Sequence, residues 1–331
     1  MSGADWLRLI LLSVLWGGSF FFVGVAVPAL PPFSIVFARV GLAALVLAVA
    51  LPALGLPYPR GARVWAALGV MGLLNNAVPF SLYVLAQGQI TSGLASILNA
   101  TTPLWGVVVA HLFTRDEKLT RAKLAGVLAG FAGVAVMMGG GLGAGTAWAQ
   151  LACLGAALSY ALAGVWARRF RRDGLPALSL ALGQLAWASV IIAPLVLMTE
   201  SPWALPFPGW GVVAALVGLA ILSTSFAYGL YFGLIASAGA VNAFLVTFLV
   251  PVSAIALGIV FLGEALLARH VAGMLLIGAG LVVIDGRLLR RWRHPGARPA
   301  TIGAAPRNGP DSATPARHPS PGRASSNGSS T

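Results

Sequence analysis

Apolar residues in this chain come in blocks. They neither alternate with polar ones nor confine themselves to one helical stripe. The blocks fall at roughly 6–27, 33–54, 64–86, 91–113, 122–141, 148–168, 177–198, 208–233, 240–262 and 269–288. Each is near the ~20 residues a helix needs to cross about 30 Å of hydrocarbon. A helix that is apolar all round needs an apolar solvent or a buried setting. Short segments rich in Pro and Gly separate the blocks, as at Pro28–Pro32, Pro57–Gly61 and Gly139–Gly145. The pattern predicts an all-α membrane protein of ten transmembrane helices. Asp5 and Arg8 stand at the start of the first block, which reads as a span and not a cleavable leader because nine more follow.

Composition agrees with this. Hydrophobic residues make up 58% of the 331, charged residues 9%, and mean hydropathy is +0.89. A soluble domain carries roughly 25% charged residues. The net charge of +13 raises a nucleic-acid reading, but location argues against it. Lys and Arg cluster between blocks and in the tail: Arg60 and Arg63, then Arg115, Lys118, Arg121 and Lys123, then Arg168, Arg169, Arg171 and Arg172, then Arg287 onward. Every second loop is basic, and Arg269 is the exception. By the positive-inside rule both termini are cytoplasmic, which needs an even number of spans. The expected location is the plasma membrane, multi-pass; the Ala, Gly and Arg usage suggests a bacterial inner membrane. Residues 289–331 are Arg, Pro, Gly, Ser and Ala, a composition expected to be disordered. The single cysteine, Cys153, lies in an apolar block and reads as packing.

The chain repeats itself. Displaced by 148 residues, Leu82-Tyr83 falls on Leu230-Tyr231, Thr102-Pro103 on Val250-Pro251, Phe113 on Phe261, Asp116 on Glu264 and Arg121 on Arg269. A displacement of about 145 sets Trp16 near Tyr160 and Arg39 near Gln184. The predicted domains are 1–146 and 147–288, each of five helices. Five is odd, so the second copy enters the membrane upside down, giving the inverted repeats found in many secondary transporters.

These residues carry a family resemblance. Trp16-Gly17-Gly18-Ser19-Phe20, Pro31-Pro32 with Phe37-Ala38-Arg39, Thr91-Ser92-Gly93-Leu94-Ala95 and Thr102-Pro103-Leu104 occur in order. Val250-Pro251 and Phe261-Leu262-Gly263-Glu264 follow in the second half. Over about residues 6–288 the chain resembles the drug/metabolite transporter superfamily, EamA type. In the first half Thr114-Arg115-Asp116 stands where Leu-Gly-Glu is usual. The resemblance implies a carrier of amino acids, related metabolites or drugs, often an exporter.

Polar groups at membrane depth need partners or a wet cavity. Arg39 is the one basic residue well inside a block, roughly 9 Å from its start at 1.5 Å per residue. It either holds a substrate carboxylate or bonds backbone carbonyls and fixes packing. Asn75 and Asn76, with Pro79, interrupt the third block; Ser223, Thr224 and Ser225 occupy the matching place in the eighth. Polar interruptions echoed in both halves point to a binding site; interhelical hydrogen bonding is the plainer reading. Tyr83 and Tyr231 are equivalent and either present hydroxyls to a ligand or pack. Trp16 and Gln184 are further cavity candidates. Asn99, Thr101, Thr102 and Pro103, with Thr247 and Pro251, suit packing or hinges. Glu264, Asp116, Glu117 and Asp285 sit at helix ends, where solvation or pairing with Arg is expected. His111 reads as interfacial. Gly126, Gly130 and Gly133, and Gly229 with Gly233, have the spacing for close helix contact.

Three classes of function follow. The first is a secondary transporter of a small solute, with Arg39 favouring an anionic or zwitterionic one. The second, a membrane enzyme, lacks a nucleophile–base pair or metal cluster at depth, so no enzymatic activity, cofactor or metal is expected. The third is a non-transporting scaffold or channel. The expected partners are a small-molecule substrate and the lipid bilayer, with no nucleic acid; a homodimer is compatible with the pattern.

Overall fold

The computed structural model describes residues 2–114, 119–138, 146–172, 174–239 and 245–285. The tail from 289, the acidic pair Asp116 and Glu117, and the 139–145 turn lie outside the described residues. So does the side chain of Asp285.

All regular structure among the described residues is helical. The helices are α1 (Gly3–Ala26), α2 (Pro32–Ala53), α3 (Ala62–Gln87), α4 (Ser92–Phe113), α5 (Arg121–Met138), α6 (Ala147–Ala167), α7 (Ala177–Thr199), α8 (Trp210–Ala238), α9 (Val246–Leu262) and α10 (Ala268–Asp285). Seven, α1–α4 and α6–α8, are long and apolar enough to cross a membrane; α9 and α10 are shorter apolar helices. Helix α8 outlasts its expected end at 233, because good helix formers continue to Ala238 and only Gly239, at φ +84°, turns the chain. The start expected at 240 for α9 is Val246, and 240–244 lie outside the described residues.

The outer surface is apolar. Met198 is 85% exposed, Val49 76% and Val260 71%. Such a surface is stable against lipid and not against water.

Helix ends are held by specific groups. The Ser2 hydroxyl accepts the Asp5 N–H while the Asp5 carboxylate accepts the Ser2 N–H, a reciprocal cap on α1. Asp5 also accepts the Ser237 hydroxyl at the end of α8, at 2.7 Å. Glu200, just past α7, accepts the N–H groups of Phe33 and Ser34 at 2.8 and 2.6 Å, so it caps α2. Glu264 corrects an expectation. Among the described residues it is bonded to no Arg; its carboxylate accepts the N–H groups of Ser92 and Gly93 at 2.7 and 3.1 Å. Four orphan N–H groups and the positive dipole end of α4 explain why a carboxylate settles there.

The strongest helix pairings are α1 with α9, α4 with α6, α2 with α7, α5 with α10, α3 with α6 and α7, and α8 with α1 and α2. Exchange every helix for the one five places on and this set maps onto itself. The α5–α10 pair is backbone-close. A Cβ on Gly126 would lie 2.6 Å from the Gly280 carbonyl, and one on Gly133 2.7 Å from that of Gly273. Gly229 and Gly233 do not match their expected role: a Cβ at either meets nothing within 4 Å. The spacing was helical, but among the described residues nothing packs against α8 at these two glycines.

Candidate functional site

The third helix of each half departs from α geometry at its polar stretch. In α3 a π turn spans Leu73–Ala77, and in α8 one spans Ile221–Phe226. The expected interruption by Asn75, Asn76 and Pro79 is therefore a widening and not a break; Pro79 lies in the first turn after it. One extra residue per turn leaves carbonyls without regular partners. Hydroxyls take them up: Thr224 Oγ1 donates to the Leu219 carbonyl at 2.8 Å and Ser225 Oγ to that of Ala220 at 3.1 Å. Helix α4 does break, at Ala100–Thr101, and restarts with Pro103 in its first turn. Proline fits there because that position has no helical acceptor for an N–H. Pro251 stays inside a continuous α9.

Arg39 is 8% exposed. Its Nε donates to Thr224 Oγ1 at 3.1 Å, and the guanidinium lies 3.5 Å from the centroid of the Phe80 ring, a cation–π contact. Tyr160 and Tyr228 are within electrostatic range of it. No carboxylate pairs with Arg39 among the described residues. A guanidinium has five N–H donors, and here one is used.

The partner positions mirror one another. Asn75 Nδ2 donates to Gln184 Oε1 at 3.0 Å and to the Tyr228 hydroxyl at 3.2 Å; Asn76 Nδ2 reaches the same hydroxyl at 3.4 Å. So α2 sends Arg39 to the π turn of α8, and α7 offers Gln184 to the π turn of α3. Gly72 lets α7 approach that closely, since a Cβ there would sit 2.5 Å from the Gln184 carbonyl. Asn76 Oδ1 and Ser223 Oγ are buried without a partner.

An aromatic group adjoins this cluster. Trp16 packs on Tyr231 at 5.1 Å between ring centroids, Phe20 meets Tyr83 edge-on at 5.5 Å, and Tyr83 stacks near Tyr160 at 6.2 Å. Tyr83 Oη donates to Asn99 Oδ1 at 2.8 Å, so its proton is committed within the protein. Cys153 is buried among apolar neighbours, as its setting in the sequence suggested.

The structure thus gathers Arg39, Asn75, Asn76, Gln184 and Thr224 in one polar cluster, with Trp16, Tyr83 and Tyr231 beside it. Tyr228 and Phe80 are members that sequence reasoning missed. Tyr228 follows Thr224 by four residues, one helical turn, and that spacing was the available signal. Phe80 left none, since an apolar residue in an apolar block is unremarked.

Two crevices lie elsewhere. One of about 220 Å³, between α2 and α7, is lined by Ser34, Phe37, Ala193, Val196, Leu197, Pro202 and Leu205. The other, about 1010 Å³, lies between α3 and α6 and is bordered by Arg63, Arg168, Arg169 and Trp166.

Apolar-surfaced helices around buried polar groups make this a multi-pass integral membrane protein. The chain belongs to the EamA-like transporter family, whose sequence pattern matches residues 6–139 and again 147–285. It is similar to the uncharacterized transporter YvbV of Bacillus subtilis, at 28% identity over 84% of this chain and 90% of that protein. It is similar to the uncharacterized inner membrane transporter YedA of Escherichia coli, at 27% over 78% and 83%. A protein of Salmonella typhimurium described as a probable amino-acid metabolite efflux pump is 26% identical over 88% of this chain and 98% of its own length. A chain of known crystal structure shares the fold with a TM-score of 0.63, at 22% identity, covering 88% of this chain and 99% of that one.

Proposed function

We propose that this protein is a secondary active transporter that exports small anionic or zwitterionic metabolites, amino acids or their relatives, by alternating access. It is built as ten transmembrane helices in two inverted repeats, residues 1–146 and 147–288, with both termini cytoplasmic in the bacterial inner membrane. The observation that carries the solute class is Arg39: a buried guanidinium with one of its donors satisfied and, among the described residues, no carboxylate beside it. Charge held at membrane depth is costly, and a solute carboxylate is the partner that offsets the cost. Gln184, Asn75, Asn76 and Thr224 supply neutral polar contacts, and Trp16, Tyr83 and Tyr231 supply an aromatic wall. The exchange symmetry of helix packing supports the inverted repeats. The efflux name of the Salmonella relative supports export and the amino-acid class.

The test is uptake of labelled amino acids and small carboxylates into proteoliposomes, with and without a pH gradient, for wild type and Arg39→Ala. Saturable uptake by wild type should fall at least tenfold in the variant, in line with a charged hydrogen bond of roughly 1.5–3 kcal/mol. Equal uptake by both proteins removes Arg39 from the site.

A further inference from the structure

The exchange symmetry of the bundle is broken where α6 meets α3. Helix α6 packs closely on the second part of α3, from Val78 on, but barely touches its first part, Ala62–Gly72. The counterpart contact, α1 with the first part of α8, Trp210–Ala220, is extensive. The crevice of about 1010 Å³ occupies the loosened contact. It is lined by Arg63, Val64, Ala66, Ala67 and Val70 from α3 and by Trp166, Arg168 and Arg169 at the end of α6.

The repeat register makes the comparison residue by residue. The displacement of 148 sets Val70 on Gly218. The displacement of 144 that sets Trp16 on Tyr160 also sets Phe22 on Trp166. Phe22 and Gly218 are in tight contact, for a Cβ at Gly218 would lie 2.7 Å from Phe22 Cζ. Their counterparts Trp166 and Val70 both line the crevice. So the same joint is shut at one end of the molecule and open at the other. The open end lies a short way along the helices from the polar cluster. Val70 precedes Asn75 by five residues and Trp166 follows Tyr160 by six, which places the crevice roughly 7–9 Å along each helix from the polar cluster.

The rim is chemically one-sided. Among the described residues that line it are Arg63, Arg168 and Arg169 and no acid. Arg169 lies over the Trp166 ring at 3.0 Å, and the Trp166 indole N–H donates to the Ala67 carbonyl at 3.0 Å. Low-dielectric walls focus the field of such a rim and concentrate anions in it.

The geometry points to this crevice as the open inner mouth of the transport path, selecting anionic solutes at its arginine rim and closing where Val70 meets Trp166. This rests on the carrier reading above and adds where the solute is admitted and of what charge.

The test needs no substrate. Full-length protein with Cys153→Ala and Val70→Cys is reconstituted, and the arginine-rich face is exposed to methanethiosulfonate reagents of either charge. The thiol should react from that face and not from the other. The sulfonate-bearing reagent should be favoured over the trimethylammonium one by about tenfold or more, relative to a free thiol. Arg63→Gln with Arg169→Gln should bring that preference close to one. A thiol unreactive from the arginine-rich face overturns the mouth. Reaction without charge preference overturns anion selection. Reaction only in liposomes free of anionic phospholipid would make the crevice a lipid site and overturn the proposal. Labelling is read without transport, so uptake that depends on Arg39 beside an unreactive Val70→Cys defeats this inference alone.

Discussion

Arg39 has one hydroxyl acceptor, Thr224, and one aromatic face, Phe80. Removing that acceptor leaves a buried donor unpaired, which costs roughly 1–3 kcal/mol. Thr224→Val should therefore lower the thermal stability of the detergent-solubilised protein, and Thr224→Ser should restore most of it. Equal melting of the valine variant and wild type would mean that water already serves the guanidinium. At this level the sequence was informative where chemistry is rare. A lone arginine, two adjacent asparagines and a glutamine in apolar blocks stand out, and they do lie together. Phe80 and Tyr228 do not stand out, because aromatic residues are ordinary in such blocks and only their neighbours give them a role.

Among helices, glycine spacing illustrates the same limit. Gly126 and Gly133 face α10, with backbone carbonyls where Cβ atoms would go, while a Cβ on Gly130 would run into the Leu104 side chain of α4. Gly229 and Gly233 have similar spacing and face open space. The physical difference is the presence of a partner, which spacing does not encode. Gly126→Val should force α5 and α10 apart and cost at least about 2 kcal/mol, whereas Gly229→Ala should stay within about 0.5 kcal/mol. Thermal unfolding of both variants checks this, and equal effects would remove the close α5–α10 contact. The acidic residues followed the same logic. Glu264 was visible as a helix-end charge and Glu200 was passed over, and the residues whose N–H groups they cap, Gly93 in α4 and Ser34 in α2, are 171 and 166 residues away from them in the chain. Nothing local announces such a pairing.

For the whole molecule, the basic loops predict that the chain end after α10 faces the cytoplasm. Green fluorescent protein fused after Leu289 should fluoresce in an expressing bacterium, and alkaline phosphatase fused there should be inactive; the reverse pattern would put that end outside and overturn the orientation read from the basic loops. The all-helical class, approximate helix bounds and the apolar surface were legible because lipid imposes them on every stretch of chain separately. Each block must be long enough, apolar enough and internally hydrogen-bonded whatever its neighbours do. Which helices touch, what Glu264 caps, how Arg39 meets Thr224 and which end of the bundle stands open depend on contacts between residues more than a hundred apart. Those contacts are set by side-chain shape and by the small free-energy differences between alternative packings. They exist only once the helices have come together.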